Sequence, residues 1–230
     1  MINEWGNPNA KIVILGTDPT APQSDPLCDM KYPFGLPEYD ELKNGKRSIR
    51  TRYFYPIYDN IATVVKSDNK MDEEVVTKFI MDNCLIINAL GAQVKDESGT
   101  LIETGKSIYK IEQGRNVWLN TYLCGKVGGK THKDILTDRI RDKTVLLTSA
   151  YLLYIFSEES WYRRYDDIDK VCKEAYYTGI VSSKLKHDGN SYAADFYPLY
   201  RNWKYRLRDE RWSLYRENLH KELDISIERQ

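Results

Sequence analysis

No two of the four cysteines stand close together. Cys28, Cys84, Cys124 and Cys172 are scattered, and no C-x-x-C pair occurs. This argues against a zinc ribbon or an iron–sulfur cluster of the usual spacing. The opening residues, Met-Ile-Asn-Glu-Trp-Gly, carry no apolar signal core. Scattered cysteines without such a signal fit reduced thiols, so a cytoplasmic location is expected. No run approaches ~18 apolar residues, so no membrane span is expected. A Gly-rich phosphate loop is also missing, which counts against a nucleotide hydrolase or transferase. Histidine is scarce, present at His132, His187 and His220. Net charge is absent too, with 34 Lys plus Arg against 34 Asp plus Glu. If nucleic acid is bound, the positive surface must therefore be local.

Such local surfaces exist. Arg201, Lys204, Arg206, Arg208 and Arg211 crowd into one stretch, and Lys46, Arg47, Arg50 and Arg52 into another. Taken alone, each reads equally well as a solvated face. The 18 Tyr and 5 Trp suit wet, half-buried positions and base stacking alike. With 230 residues, 41% of them hydrophobic, the chain can bury the core of one large α/β domain.

Lys11–Gly16, KIVILG, is a β-branched run ending in Gly, the pattern of a buried parallel strand. CLIINAL (84–90) and TVLLTS (144–149) read the same way, and 192–197 is a further strand candidate. Helices are expected over 53–65, 72–82, 105–124, 132–141 and 210–223, with another opening at 151–156. Within 105–124, VWLNTYL also fits a strand. Residues 95–103 suggest a hairpin around Glu97-Ser98-Gly99. Strands separated by helices predict a parallel sheet covered on both faces. We therefore expect one domain over 1–230, with residues 95–125 as a candidate insertion. Ligands of such sheets bind beyond the carboxyl ends of the strands. The loops after Gly16, Asn88 and Ser149, and the loop around Tyr200–Tyr205, should then share one cleft.

Gly16-Thr17-Asp18-Pro19 carries the most information. Gly16 lets the backbone turn sharply out of the strand. Pro19 and Pro22 stiffen the loop. Asp18, held at a strand end, can orient a water or stabilise a cation, and cleavage of an N-glycosidic bond needs both. A simple turn-capping role for Asp18 fits the local pattern equally well.

The stretch KIVILGTDPTAP resembles the first motif of the uracil-DNA glycosylase superfamily, GQDPYH in family 1. Its GTDPT wording is similar to a bacterial uracil-glycosylase-like subfamily, as are Arg52-Tyr53-Phe54 and Asp59-Asn60-Ile61 farther on. Phe34, in Phe34-Gly35-Leu36, falls where the family stacks a phenylalanine on the extruded base. Asn88, in LIINAL, ends a buried strand as the family's base-reading asparagine does. Tyr200-Arg201-Asn202-Trp203-Lys204-Tyr205 falls where the family has its histidine-proline motif and DNA-intercalating loop. The order holds from about residue 9 to 223, and the first motif is the specific one.

The resemblance implies a three-layer α/β/α fold around a central, mainly parallel four-stranded sheet. It implies a monofunctional DNA glycosylase, acting on uracil or a C5-modified pyrimidine flipped out of DNA. Asp18 and Asn202 are then the catalytic candidates. Gly16, Thr17, Thr20, Phe34 and Asn88 are the base-binding ones. Arg201, Trp203, Lys204 and Tyr205 would meet DNA. No metal or organic cofactor is implied, the partner is DNA, and a monomer is expected.

The chain departs from the family in two places. Thr20 replaces the tyrosine that blocks C5 substituents, which opens room for a bulkier pyrimidine. Asn202 and Trp203 replace histidine and proline; Asn202 donates a hydrogen bond but supplies no imidazole. An alternative alignment sets Tyr197-Pro198 on that motif, again without histidine. His187, in KHDGN, is a further residue that can enter the cleft, although a surface-loop role is preferred. Asn120, in NVWLNTYL, competes with Asn88 as the base reader, with Asn88 preferred for its distance from Phe34. Three readings remain: a glycosylase in repair or in defence against phage with modified DNA, a nucleic-acid-binding member without catalysis, and an unrelated α/β enzyme.

Overall fold

Three short apolar runs of the sequence lie side by side at the centre of one sheet. They are seen in a computed structural model that describes residues 4–17, 73–91, 95, 97–100, 112–148, 152, 186–187, 190–191, 195–198, 217, 220–221 and 223–224. Strand β2 (Ile12–Gly16) runs parallel to β3 (Cys84–Asn88) on one side and to β6 (Thr144–Leu147) on the other. Every residue of the three is buried. A strand covered on both faces gains from apolar side chains at every position, which is why these runs do not alternate. Strand β9 (Asp195–Pro198) adds in parallel to β6, shifted from the expected 192–197.

The architecture is thus α/β with a mainly parallel sheet. The sheet contains five strands, in the order β1 (Glu4–Gly6), β3, β2, β6, β9. The fifth, β1, pairs antiparallel with β3 and falls outside the strands expected from the sequence. Its turn into β2 needs Gly6 at φ +82, where an added Cβ would also fall against the Cys84 carbonyl. Beyond it, the Asn7 N–H donates to the Cys84 carbonyl at 2.9 Å, and Asn7 Nδ2 to the Asp82 carbonyl at 2.9 Å.

Helix α1 (Glu73–Asn83) runs straight into β3 without a loop. Ile80 is fully buried near its end. Helix α2 (Glu112–Cys124) contains VWLNTYL, which is therefore helical and not a strand. Trp118 and Tyr122, one turn apart, are buried and stacked with centroids 5.7 Å apart. The helix packs against the helix that follows it, His132–Ile140.

Between α2 and α3 the chain makes a hairpin, β4 (Lys126–Val127) and β5 (Lys130–Thr131). Gly128 and Gly129 have φ +59 and +86, both positive as a type I′ turn requires. Helix α3 (His132–Ile140) starts on a capping box. The Asp134 N–H donates to Thr131 Oγ1 at 3.1 Å, and the Thr131 N–H donates back to Asp134 Oδ2 at 3.1 Å. Leu136 and Ile140 point into the core. Arg139 reaches Glu4 of β1 at 2.6 Å, tying α3 to the sheet edge.

Lys186–His187 (β7) and Asn190–Ser191 (β8) form a second hairpin. Of the hairpin expected over 95–103, Lys95 is a bridge residue and 97–98 a turn. The closing helix is seen at Glu217, His220, Lys221, Leu223 and Asp224, with Leu223 fully buried. The helices expected at 53–65 and over most of 151–156 lie outside the described residues. Among the described residues no helix is long and apolar enough to cross a membrane.

Candidate functional site

The four parallel strands end at one edge of the sheet. Gly16 is level with Asn88, and Leu147 is level with both Leu15 and Pro198. Just past them the ladders are prolonged. The Ala89 N–H donates to the Gly16 carbonyl and the Leu90 N–H to the Thr17 carbonyl, each at 2.9 Å. The Thr148 N–H donates to the Leu15 carbonyl at 3.0 Å, and Thr148 Oγ1 donates to the same oxygen at 2.9 Å. These bonds fix the backbone at the point where the chain leaves the sheet.

Asn88 closes β3 at this edge and is buried, 1% solvent-accessible. Neither Nδ2 nor Oδ1 of its amide has a hydrogen-bond partner. A buried amide without partners is costly, on the order of 1–3 kcal/mol. The ordinary role of a strand-end asparagine, bonding to nearby backbone, is therefore not the one it plays here. An amide so held presents one acceptor and two donors to whatever enters.

The structure brings Gly16, Thr17 and Asn88 together, with Thr17 half-buried. Asn120, the competing base reader, is exposed on α2 and ends no strand. Asp18 follows Thr17 directly in sequence, and Arg201 comes three positions after Pro198. Asp18, Thr20, Phe34, Arg201, Asn202, Trp203, Lys204 and Tyr205 lie outside the described residues. Thr148 belongs to this edge and was not singled out from the sequence. The signal for it was present: it follows the third buried strand as Asn88 closes the second.

Other titratable groups sit away from this edge. Burial pushes the Cys84 thiol up, and burial together with the Asp134 carboxylate pushes the Tyr122 hydroxyl up. Burial holds the His132 imidazole below its ordinary range, and its Nδ1 is buried without a partner. His220 lies 3.2 Å from Asp224 on the closing helix. His187 is in β7. Lys143 is held down by burial and by Arg139 and Lys11, against an opposing pull from Glu4; its Nζ donates to the Pro8 carbonyl at 3.3 Å. Among the described residues no three His, Cys, Asp or Glu side chains converge as metal ligands would.

No protein-family model matches the chain, and no curated protein matches it.

Proposed function

We propose that the chain is a DNA glycosylase of the uracil-DNA glycosylase superfamily, built as a three-layer α/β/α domain. Its substrate is uracil or a C5-modified pyrimidine flipped out of DNA. The observation that carries this reading is the buried, unpartnered amide of Asn88 beside Gly16, at the edge where the GTDP motif begins. A pyrimidine edge offers the donor and acceptor that this amide lacks.

In this reading Phe34 stacks on the extruded base and Asn88 reads its edge. The bond between the base nitrogen and the sugar carbon breaks, and the base leaves as an anion. Asp18 stabilises the positive charge left on the sugar and orients the water that attacks it. Asn202 donates to the departing base. Arg201 and Lys204 hold phosphates, while Trp203 and Tyr205 wedge into the stack. Thr20 leaves room beside C5. A role in repair, or in defence against phage with modified DNA, follows from which base is released.

A second reading rests on Asn202 and Trp203, which replace the family's histidine and proline. It makes the chain a nucleic-acid-binding member without catalysis. One experiment separates the two. Oligonucleotides carrying uracil, a thymine mismatch, 5-hydroxymethyl or glucosylated pyrimidines are assayed for base release with wild type and Asp18→Asn. Release by wild type and not by Asp18→Asn supports the glycosylase. Tight binding with no release from any oligonucleotide supports the second reading.

A further inference from the structure

Lys11 and Lys143 come together where β2 and β6 begin, at the end of the sheet opposite Asn88. Ile12 is level with Thr144, and the Thr144 N–H donates to the Lys11 carbonyl at 2.8 Å. The two lysines each stand one residue before these paired positions, on strands about 4.8 Å apart. Lys11 is exposed and Lys143 half-buried. Other parts of the chain converge on them. The Lys143 ammonium donates to the carbonyl of Pro8, in the turn between β1 and β2, at 3.3 Å. Arg139 of α3, Lys11 and Glu4 of β1 all act on Lys143 through their charges. Arg139 in turn holds Glu4 at 2.6 Å.

The charges at this end do not balance. Three cations face one carboxylate, Glu4, which Arg139 already engages. Asp138, the neighbouring acid on α3, is engaged by Lys130 and Arg141. Lys143 is left with a neutral carbonyl, and among the described residues nothing engages the Lys11 ammonium. A half-buried ammonium beside two like charges is unfavourable until an anion joins it. We propose that Lys11 and Lys143 bind a phosphate group, at a site separate from the Asn88 edge. A phosphate oxyanion accepts from two ammonium groups at once, each acting on it as a point charge. An ammonium carries three donors, so the bond to Pro8 leaves two of those on Lys143 for the anion. The site goes beyond the base-excision reading and does not depend on it. Free phosphate or a phosphomonoester offers the same group as the backbone of a nucleic acid.

The test titrates the full chain with inorganic phosphate at low ionic strength and follows backbone amides by NMR. Sodium chloride at matched ionic strength is the control. Saturable shifts should concentrate at residues 9–11 and 139–143. Lys11→Met and Lys143→Met keep most of the apolar stem and remove the charge. Each should weaken phosphate by about tenfold or more, the effect of one charge-assisted hydrogen bond. Lys130→Met, which removes the partner of Asp138, should leave phosphate affinity unchanged. An unmodified DNA duplex is titrated next. Shifts at the same residues, lost in Lys143→Met, assign the phosphate to a nucleic-acid backbone; a response to phosphate alone assigns it to a free phosphate or monoester.

Wild type without saturable shifts overturns the proposal, as do shifts that chloride reproduces. Equal affinity in Lys11→Met, Lys143→Met and wild type overturns it too. Asp195 opens β9 level with Thr144, so Asp195→Asn is titrated as well. A response confined to that variant also overturns the proposal, because a carboxylate of the chain then already serves as the anion. Should Lys143→Met fail to fold, the exposed Lys11 variant decides alone.

Discussion

Asn88, the last residue of β3, lies level with Gly16, the last residue of β2, and its buried amide touches no hydrogen-bond partner. A polar group kept at a cost of stability, beside a position with no side chain, is the feature on which the proposed base-reading role of Asn88 rests.

That relationship gives a first prediction. Asn88→Leu removes the unpartnered amide and keeps much of its volume. The variant should be as stable as wild type or more so, by about 1 kcal/mol. Ligand binding and base release should fall below detection. Thermal unfolding and the release assay, run on the same preparation, check both halves. A marked loss of stability would mean that the amide is already satisfied.

Gly6 is the second position to test. Its φ of +82 and the Cys84 carbonyl that faces its missing Cβ leave no room for a side chain. Gly6→Ala should cost roughly 2 kcal/mol or more, from backbone strain and from displacing β1. Urea unfolding measures this. A cost near zero would show that β1 contributes little to the sheet.

The α3 capping box offers a smaller, cleaner effect. Thr131→Ala removes the acceptor for the Asp134 N–H. It should destabilise the chain by about 0.5–2 kcal/mol, whereas Thr131→Ser should lose far less. Comparing the two variants by urea unfolding separates the hydrogen bond from the methyl group.

His132 predicts a pH dependence. Burial lowers its pKa in the folded state from 6.5, so the unfolded chain binds this proton more readily. Stability then falls as pH drops below about 6.5, down to the folded-state value, and is unaffected by this group at higher pH. His132→Gln should flatten that part of the profile. Unfolding at a series of pH values, with an NMR titration of the imidazole, checks the sign. A folded-state pKa above 6.5 would reverse it.

The parts of the fold legible in the sequence were those set by local pattern. KIVILG, CLIINAL and TVLLTS each declare a strand buried on both faces. The helix at 73–83 is framed by its acidic start and its apolar spacing. Gly128-Gly129 is an equally local signal for a hairpin. Glu4–Gly6 gave no local signal. Three residues, Glu-Trp-Gly, become a strand because β3 offers them a free edge. VWLNTYL is apolar enough for either state, and the stacked pair Trp118–Tyr122 against α3 selects the helix. The site follows the same division. Gly16, Thr17 and Asn88 could be named from strand ends, but nothing local distinguished Asn88 from Asn120.

By itself the sequence determined where buried strands and helix starts fall, because hydrophobic periodicity, caps and turn residues act over a few neighbours. It also determined which residue types are available for chemistry: one GTDP motif, few histidines, no cysteine pairs. The tertiary structure alone decided that Asn88 stands level with Gly16, with Thr148 just past Leu147 on the other side of β2. This edge joins residues as far apart as 15 and 147, and only the register of the β2–β3 and β2–β6 ladders brings the strand ends together. Register is set by the burial of whole strands against one another, a property of the assembled sheet that no single segment carries.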